Sequence, residues 1–148
     1  MNTLGPWASI IALSMTPNLL LGSSTALAVG IQAHLPPGQL LPVVALASYL
    51  EGLLVAWLAE RSTHLAWVQR WIERMRTPRN LGLAERWGVW GGLTLGCALV
   101  GQEPILVALR WLGVGMRRLW LPLAVSNILF TGLYYLAAAF GLDQLARL

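Results

Sequence analysis

The chain has 148 residues, of which 57% are hydrophobic and 11% charged, where an ordinary soluble domain carries about 25% charged residues. The first 50 residues contain no Asp, Glu, Lys or Arg, which excludes a conventionally solvated surface there and predicts one membrane domain, residues 1–148. The net charge of +4 is all arginine over carboxylate, and six of the ten arginines fall between Arg61 and Arg86. That is the placement of a positive-inside cytoplasmic loop, so no nucleic-acid partner is expected.

In chain order, Trp7 to Ala33 is apolar but broken at Thr16-Pro17-Asn18, and His34-Leu35-Pro36-Pro37-Gly38 reads as a turn. No basic region precedes the first apolar stretch, so a cleaved secretory signal is not expected. Leu40 to Ala59 reads as one helix of spanning length. Arg61 to Arg79 is polar and basic, with Leu65, Val68, Trp71, Ile72 and Met75 at helical spacing and Arg70, Glu73, Arg74 and Arg76 between them. Such an amphipathic helix either lies in a membrane interface or packs on the domain's own core, and Pro78 is expected to end it. Trp87 to Val114 is apolar but broken at Gly101-Gln102-Glu103-Pro104. A basic turn, Met116-Arg117-Arg118, precedes a second spanning helix, Leu119 to Leu142. Trp7, Trp57, Trp67, Trp71, Trp87 and Trp120 lie near segment ends, as interfacial anchors do, while Trp90 and Trp111 read as packing residues. The single cysteine, Cys97, excludes an intrachain disulfide and reads as a small packing residue.

An internal repeat organises these segments. Residues 42–53, from Pro42 through Glu51-Gly52, resemble 122–133, from Pro122 through Thr131-Gly132, with proline and glycine ten apart in both copies. Each copy follows a broken apolar segment. Two topologies are compatible with this order. If both broken segments cross, there are four spans, with the termini and the linker inside, and Arg117 and Arg118 fall outside, against the charge rule. If both are re-entrant, each arm of about 10–15 residues reaches about 15–22 Å. Linker 61–86 and the Arg117-Arg118 turn then share the cytoplasmic face, and both termini lie opposite. The second topology is the expected one. It makes the fold all-α, with two inverted repeats (1–60 and 87–148), each a re-entrant helical hairpin plus one transmembrane helix, joined by an amphipathic helix. In that architecture binding sites lie near the midplane. The expected hairpin tips are Pro17, Asn18, Gly101 and Pro104.

The order of hairpin, spanning helix, amphipathic linker, hairpin and spanning helix resembles the DedA-like membrane superfamily, whose unit is the SNARE-associated or VTT domain. Within it the chain is most similar to the small multidrug export protein family. Leu112-Gly113-Val114-Gly115-Met116-Arg117-Arg118, followed by the helix through Gly132, resembles the family's hydrophobic–Gly–basic–basic turn and last helix. Gly101 and Pro104 sit where the family has its second hairpin tip. The resemblance implies a small transporter of the bacterial cytoplasmic (inner) membrane. The family's acidic–Leu–Arg–Gly cluster after the first proline is replaced here by Leu20-Leu21-Gly22-Ser23, and its arginines around the second tip are missing. A non-transporting accessory subunit of a larger membrane complex is therefore the alternative.

Ionisable residues inside apolar segments are costly and mark candidate sites. Three qualify: Glu51, Glu103 and Arg110. One reading has Glu51 and Glu103 bind or relay a proton or cation, with Ser126, Asn127 and Thr131 lining the path; the other has them hold the fold. Arg110 is expected to meet Glu51 or to snorkel to the basic side. His34 and His64 lack metal-ligand company, so neither metal nor cofactor is expected. No HExxH, CxxC, P-loop, GxGxxG or Ser/His/Asp set occurs, and no enzymatic activity is expected. A chain this small walls a pathway thinly, so a homodimer or partner membrane subunits are expected.

Overall fold

The computed structural model describes residues 4–15, 22–75, 77 and 88–145, and all regular structure among them is helical. The expected tip residues Pro17 and Asn18 lie outside the described residues, as do Pro78 and Trp87. In chain order the helices are α1 (Leu4–Ser14), α2 (Gly22–Gln32), α3 (Pro37–Ser62), α4 (Ala66–Met75), α5 (Gly88–Val100), α6 (Gln102–Trp111) and α7 (Met116–Leu145). Among the described residues, α3 and α7 are the two helices long and apolar enough to cross a membrane, with mean hydropathy 1.8 and 1.6 over their most apolar windows.

The backbone divides into two compact units, Met1–Glu51 with Ala124–Leu148, and Gly52–Leu123. In the first, α1 packs against α2. Ile10, Ala26, Leu27, Leu40 and Val44 form its buried core, with Trp7, Leu13 and Tyr135 packed around them. α2 ends where His34 takes φ 55: the Leu35 N–H donates to Gly30 O at 3.0 Å and the His34 N–H to Ile31 O at 2.9 Å. That is a Schellman stop with histidine in the left-handed position usually held by glycine. The expected five-residue turn is shorter than anticipated. Pro37 and Gly38 already belong to α3, because proline at the first helical position loses no hydrogen bond and arrives with a helical φ. Pro42 and Pro122 lie inside α3 and α7, where each removes one intrahelical hydrogen bond.

In the second unit, α5 and α6 form a close antiparallel pair. A Cβ on Gly96 would lie 3.0 Å from Ile105 Cδ1, and one on Gly92 3.7 Å from Leu109 Cδ1. The two small positions let the helix backbones approach. Between them α5 widens into a π-helical turn, Gly92–Gly96, which the apolar pattern did not reveal. The chain reverses at Gly101, with φ 96 and ψ 165, a conformation close to glycine-only. The break expected over 101–104 is thus one residue long. Gln102, Glu103 and Pro104 form the first turn of α6, where proline's missing N–H is harmless. α6 ends in a second Schellman stop, with Gly113 at φ 94 and the Val114 N–H on Leu109 O at 3.0 Å.

α4 buries one side of its apolar stripe and leaves the other open. Val68 is fully buried and Ile72 half-buried, while Leu65, Trp67 and Trp71 are exposed. Trp90, expected as a packing residue, is exposed instead, near the start of α5. Cys97, the single cysteine, is buried and in no disulfide.

Candidate functional site

The candidate site is a set of polar side chains that apolar helices turn inward. In the first unit, α3 buries Glu51 (4% exposed) and, one turn before it, Ser48. α7 buries Ser126, Asn127 and Thr131. A carboxylate enclosed in such surroundings needs compensation, because burial of an uncompensated charge costs several kcal/mol or more. Ser48, Glu51, Ser126 and Asn127 each have a hydrogen-bonding or electrostatic partner. The repeat predicts that Glu51 and Thr131 occupy equivalent places, and both are buried, as are Ala47 and Asn127 one turn earlier. Around those two positions the buried arcs diverge. Ser48 is buried where Ile128 is 64% exposed, and Ser126 is buried where Leu46 is 58% exposed. Beside this cluster a groove of about 540 Å³, almost wholly apolar, runs between Pro42, Leu46 and Tyr49 of α3 and Ile128, Thr131 and Gly132 of α7.

The second unit holds the other candidates. Gln102 and Glu103 open α6, 7% and 6% exposed. Glu103 sits in the first turn, where the helix dipole favours a negative charge. Its Oε2 lies over the tip, 3.6 Å from where a Cβ on Gly101 would be. Gln102 occupies the space that Gly52 leaves open: a Cβ there would stand 2.5 Å from the amide Nε2. Gln102 thus joins the buried polar set, unmarked in the sequence except by its place next to a helix-breaking glycine.

Arg110 is buried at the end of α6. Its Nη2 pairs with Glu60 Oε2 at 2.5 Å, and Nη1 donates to the Val114 carbonyl. The reason is positional. Arg110 lies in the last turn of α6, where a cation also complements that helix's own terminus, and Glu60 belongs to the last turns of α3. Next to it, the Trp111 indole N–H donates to Ala59 O at 3.3 Å and Ser62 Oγ at 3.2 Å. Trp111 therefore caps the end of α3 as well as packing. A polar groove of about 710 Å³ surrounds the pair, lined also by His64, Gln69 and Glu73. Among the described residues no three His, Cys, Asp or Glu side chains converge as metal ligands.

Glu51, Ser126, Asn127 and Thr131 thus belong to one unit, and Gly101, Glu103, Pro104 and Arg110 to the other. Together these features define a class: a small all-helical protein with two helices long and apolar enough to cross a bilayer, two shorter helical pairs, and carboxylates buried in apolar elements. No family model matches the chain, and neither a characterised protein nor a solved structure does.

Proposed function

We propose that the chain is an integral membrane protein of the bacterial cytoplasmic membrane and works as a small DedA-like, multidrug-export-type transporter coupled to protons or a cation. α3 and α7 span, the α1–α2 and α5–α6 pairs are re-entrant, and linker 61–86 lies on the cytoplasmic side. Helices α1, α2 and α6, of 11, 11 and 10 residues, rise only about 15–17 Å, half of a hydrocarbon core of about 30 Å. Only 39% and 22% of the spanning windows of α3 and α7 are buried, unlike the core helices of a soluble protein. Leu46, Leu50, Leu54, Leu129, Leu133 and Phe140 are left facing outward.

The observation that carries the transport reading is Glu51, enclosed halfway along a helix of mean hydropathy 1.8, with Glu103 as a second enclosed carboxylate. Intramembrane carboxylates are expensive, and ion or proton relays are their usual reason. The test is ethidium efflux from drug-sensitive cells expressing the chain. Glu51→Gln and Glu103→Gln should each reduce efflux to background at unchanged membrane abundance. Wild-type efflux in both variants would reject a carboxylate-coupled transporter.

A second reading, an accessory subunit, draws on the commitment of Arg110 to Glu60 and the absence of the family's charged first-hairpin cluster. It predicts no efflux from the wild-type chain and its co-purification in mild detergent with a membrane partner or a second copy.

A further inference from the structure

The start of α7 concentrates positive charge that no carboxylate among the described residues balances. Arg117 and Arg118 occupy the first turn, which contains no acidic residue. Both are exposed, and among the described residues no carboxylate pairs with either. Cations are disfavoured at this end of a helix, where the dipole and unsatisfied N–H groups already present positive charge. The same geometry is favourable once an anion is present. The arginines border an open groove of about 750 Å³ whose other walls include Trp90, Trp120, Gly113 and Leu121. Trp90 and Trp120 are 49% and 52% exposed, a costly arrangement in water but the usual one at headgroup depth. The groove therefore pairs a cationic rim with an aromatic and aliphatic wall at the polar end of a helix of spanning length.

We infer that this groove binds the phosphate of an anionic phospholipid, with Arg117 and Arg118 on the headgroup and Trp90, Trp120 and Leu121 against the glycerol and upper acyl chain. The inference rests on the membrane reading but not on transport. Basic residues at a membrane surface each contribute enough that losing two should weaken retention about 30-fold, equivalent to about 2 kcal/mol at 1.4 kcal/mol per tenfold.

The full chain, purified in detergent, is titrated with phosphatidylglycerol, phosphatidylcholine or inorganic phosphate, and bound lipid is counted by native mass spectrometry. Phosphatidylglycerol should be retained by the wild type and lost about 30-fold more readily by Arg117→Gln/Arg118→Gln. Arg117→Lys/Arg118→Lys, which keeps the charge, should retain it within about threefold. Arg70→Gln/Arg74→Gln, on α4, should behave as wild type. Equal retention by the Arg117/Arg118 glutamine variant overturns the site, as does equal loss in the α4 variant. Displacement of phosphatidylglycerol by millimolar inorganic phosphate would assign the groove to a free anion and also overturn it. Carbonate extraction separates the two failures. A chain washed out of membranes sinks the membrane reading itself, whereas a retained chain without lipid preference sinks only this site.

Discussion

Glu60 and Arg110 form one ion pair, yet removing one partner should cost about twice as much as removing the other. The guanidinium side of the pair is 6% exposed and the carboxylate side 59%. Breaking a fully buried pair costs about 3–5 kcal/mol, and an exposed pair is worth about 0–1 kcal/mol; this one lies between, and the asymmetry decides which loss matters. Glu60→Ala strands a buried cation that keeps only the Val114 carbonyl, with Nε already lacking an acceptor. The expected cost is about 2 kcal/mol. Arg110→Met leaves a carboxylate that water can solvate and refills most of the volume. The cost should be about 1 kcal/mol, chiefly the hydrogen bond to Val114. In Glu60→Ala/Arg110→Met the stranded charge is gone, so the double variant should cost about 1 kcal/mol, leaving a coupling of about 2 kcal/mol. The assay is reversible unfolding in mixed micelles of rising dodecyl sulfate fraction, followed by far-ultraviolet circular dichroism. Equal single costs, or a strictly additive double variant, would refute the assignment of the burden to the buried guanidinium.

Gly52→Ala should destabilise the chain by about 1–3 kcal/mol, because its Cβ would stand 2.5 Å from Gln102 Nε2 and 3.2 Å from both Leu123 methyls. Gly132→Ala, at the matching repeat position, meets nothing within 4 Å and should stabilise the helix by about 0.5–1 kcal/mol; the same unfolding assay reads both, and matched effects would contradict the contrast. Gly101→Ala places a side chain at φ 96 and ψ 165 and should cost about 1–3 kcal/mol, with faster amide exchange confined to α5 and α6. Terminal tags on the proposed membrane protein should both be accessible from the face opposite residues 61–86. A tag sharing a compartment with that linker would sink the re-entrant reading.

Helix positions were legible in the sequence wherever the cause is local. Two uninterrupted apolar runs became α3 and α7, extended by about a turn because Pro37 and Gly115-Met116 are compatible with a helix start. The breaker at Gly101 worked alone, since only glycine tolerates that backbone, while Pro104 was absorbed by the first turn of α6. The candidate list was partly legible for the same reason. Glu51, Glu103, Asn127 and Thr131 are polar residues in apolar runs, and burial followed.

Sequence by itself therefore determined an all-helical chain with two spanning-length helices, their ends to within about a turn, and most of the polar groups they enclose. Tertiary structure alone decided the partners. It gave Arg110 to Glu60, fitted Gln102 against the bare backbone at Gly52, set the Trp111 indole on the end of α3 and left Trp90 outside. It also rotated the buried arcs of the two repeat copies apart, so that Ser48 and Ser126 have no buried counterparts. The physical reason is range. Breakers and hydrophobic period act within a few residues, whereas a partner fifty residues away is chosen by how helices seat on one another, to which hydropathy is blind.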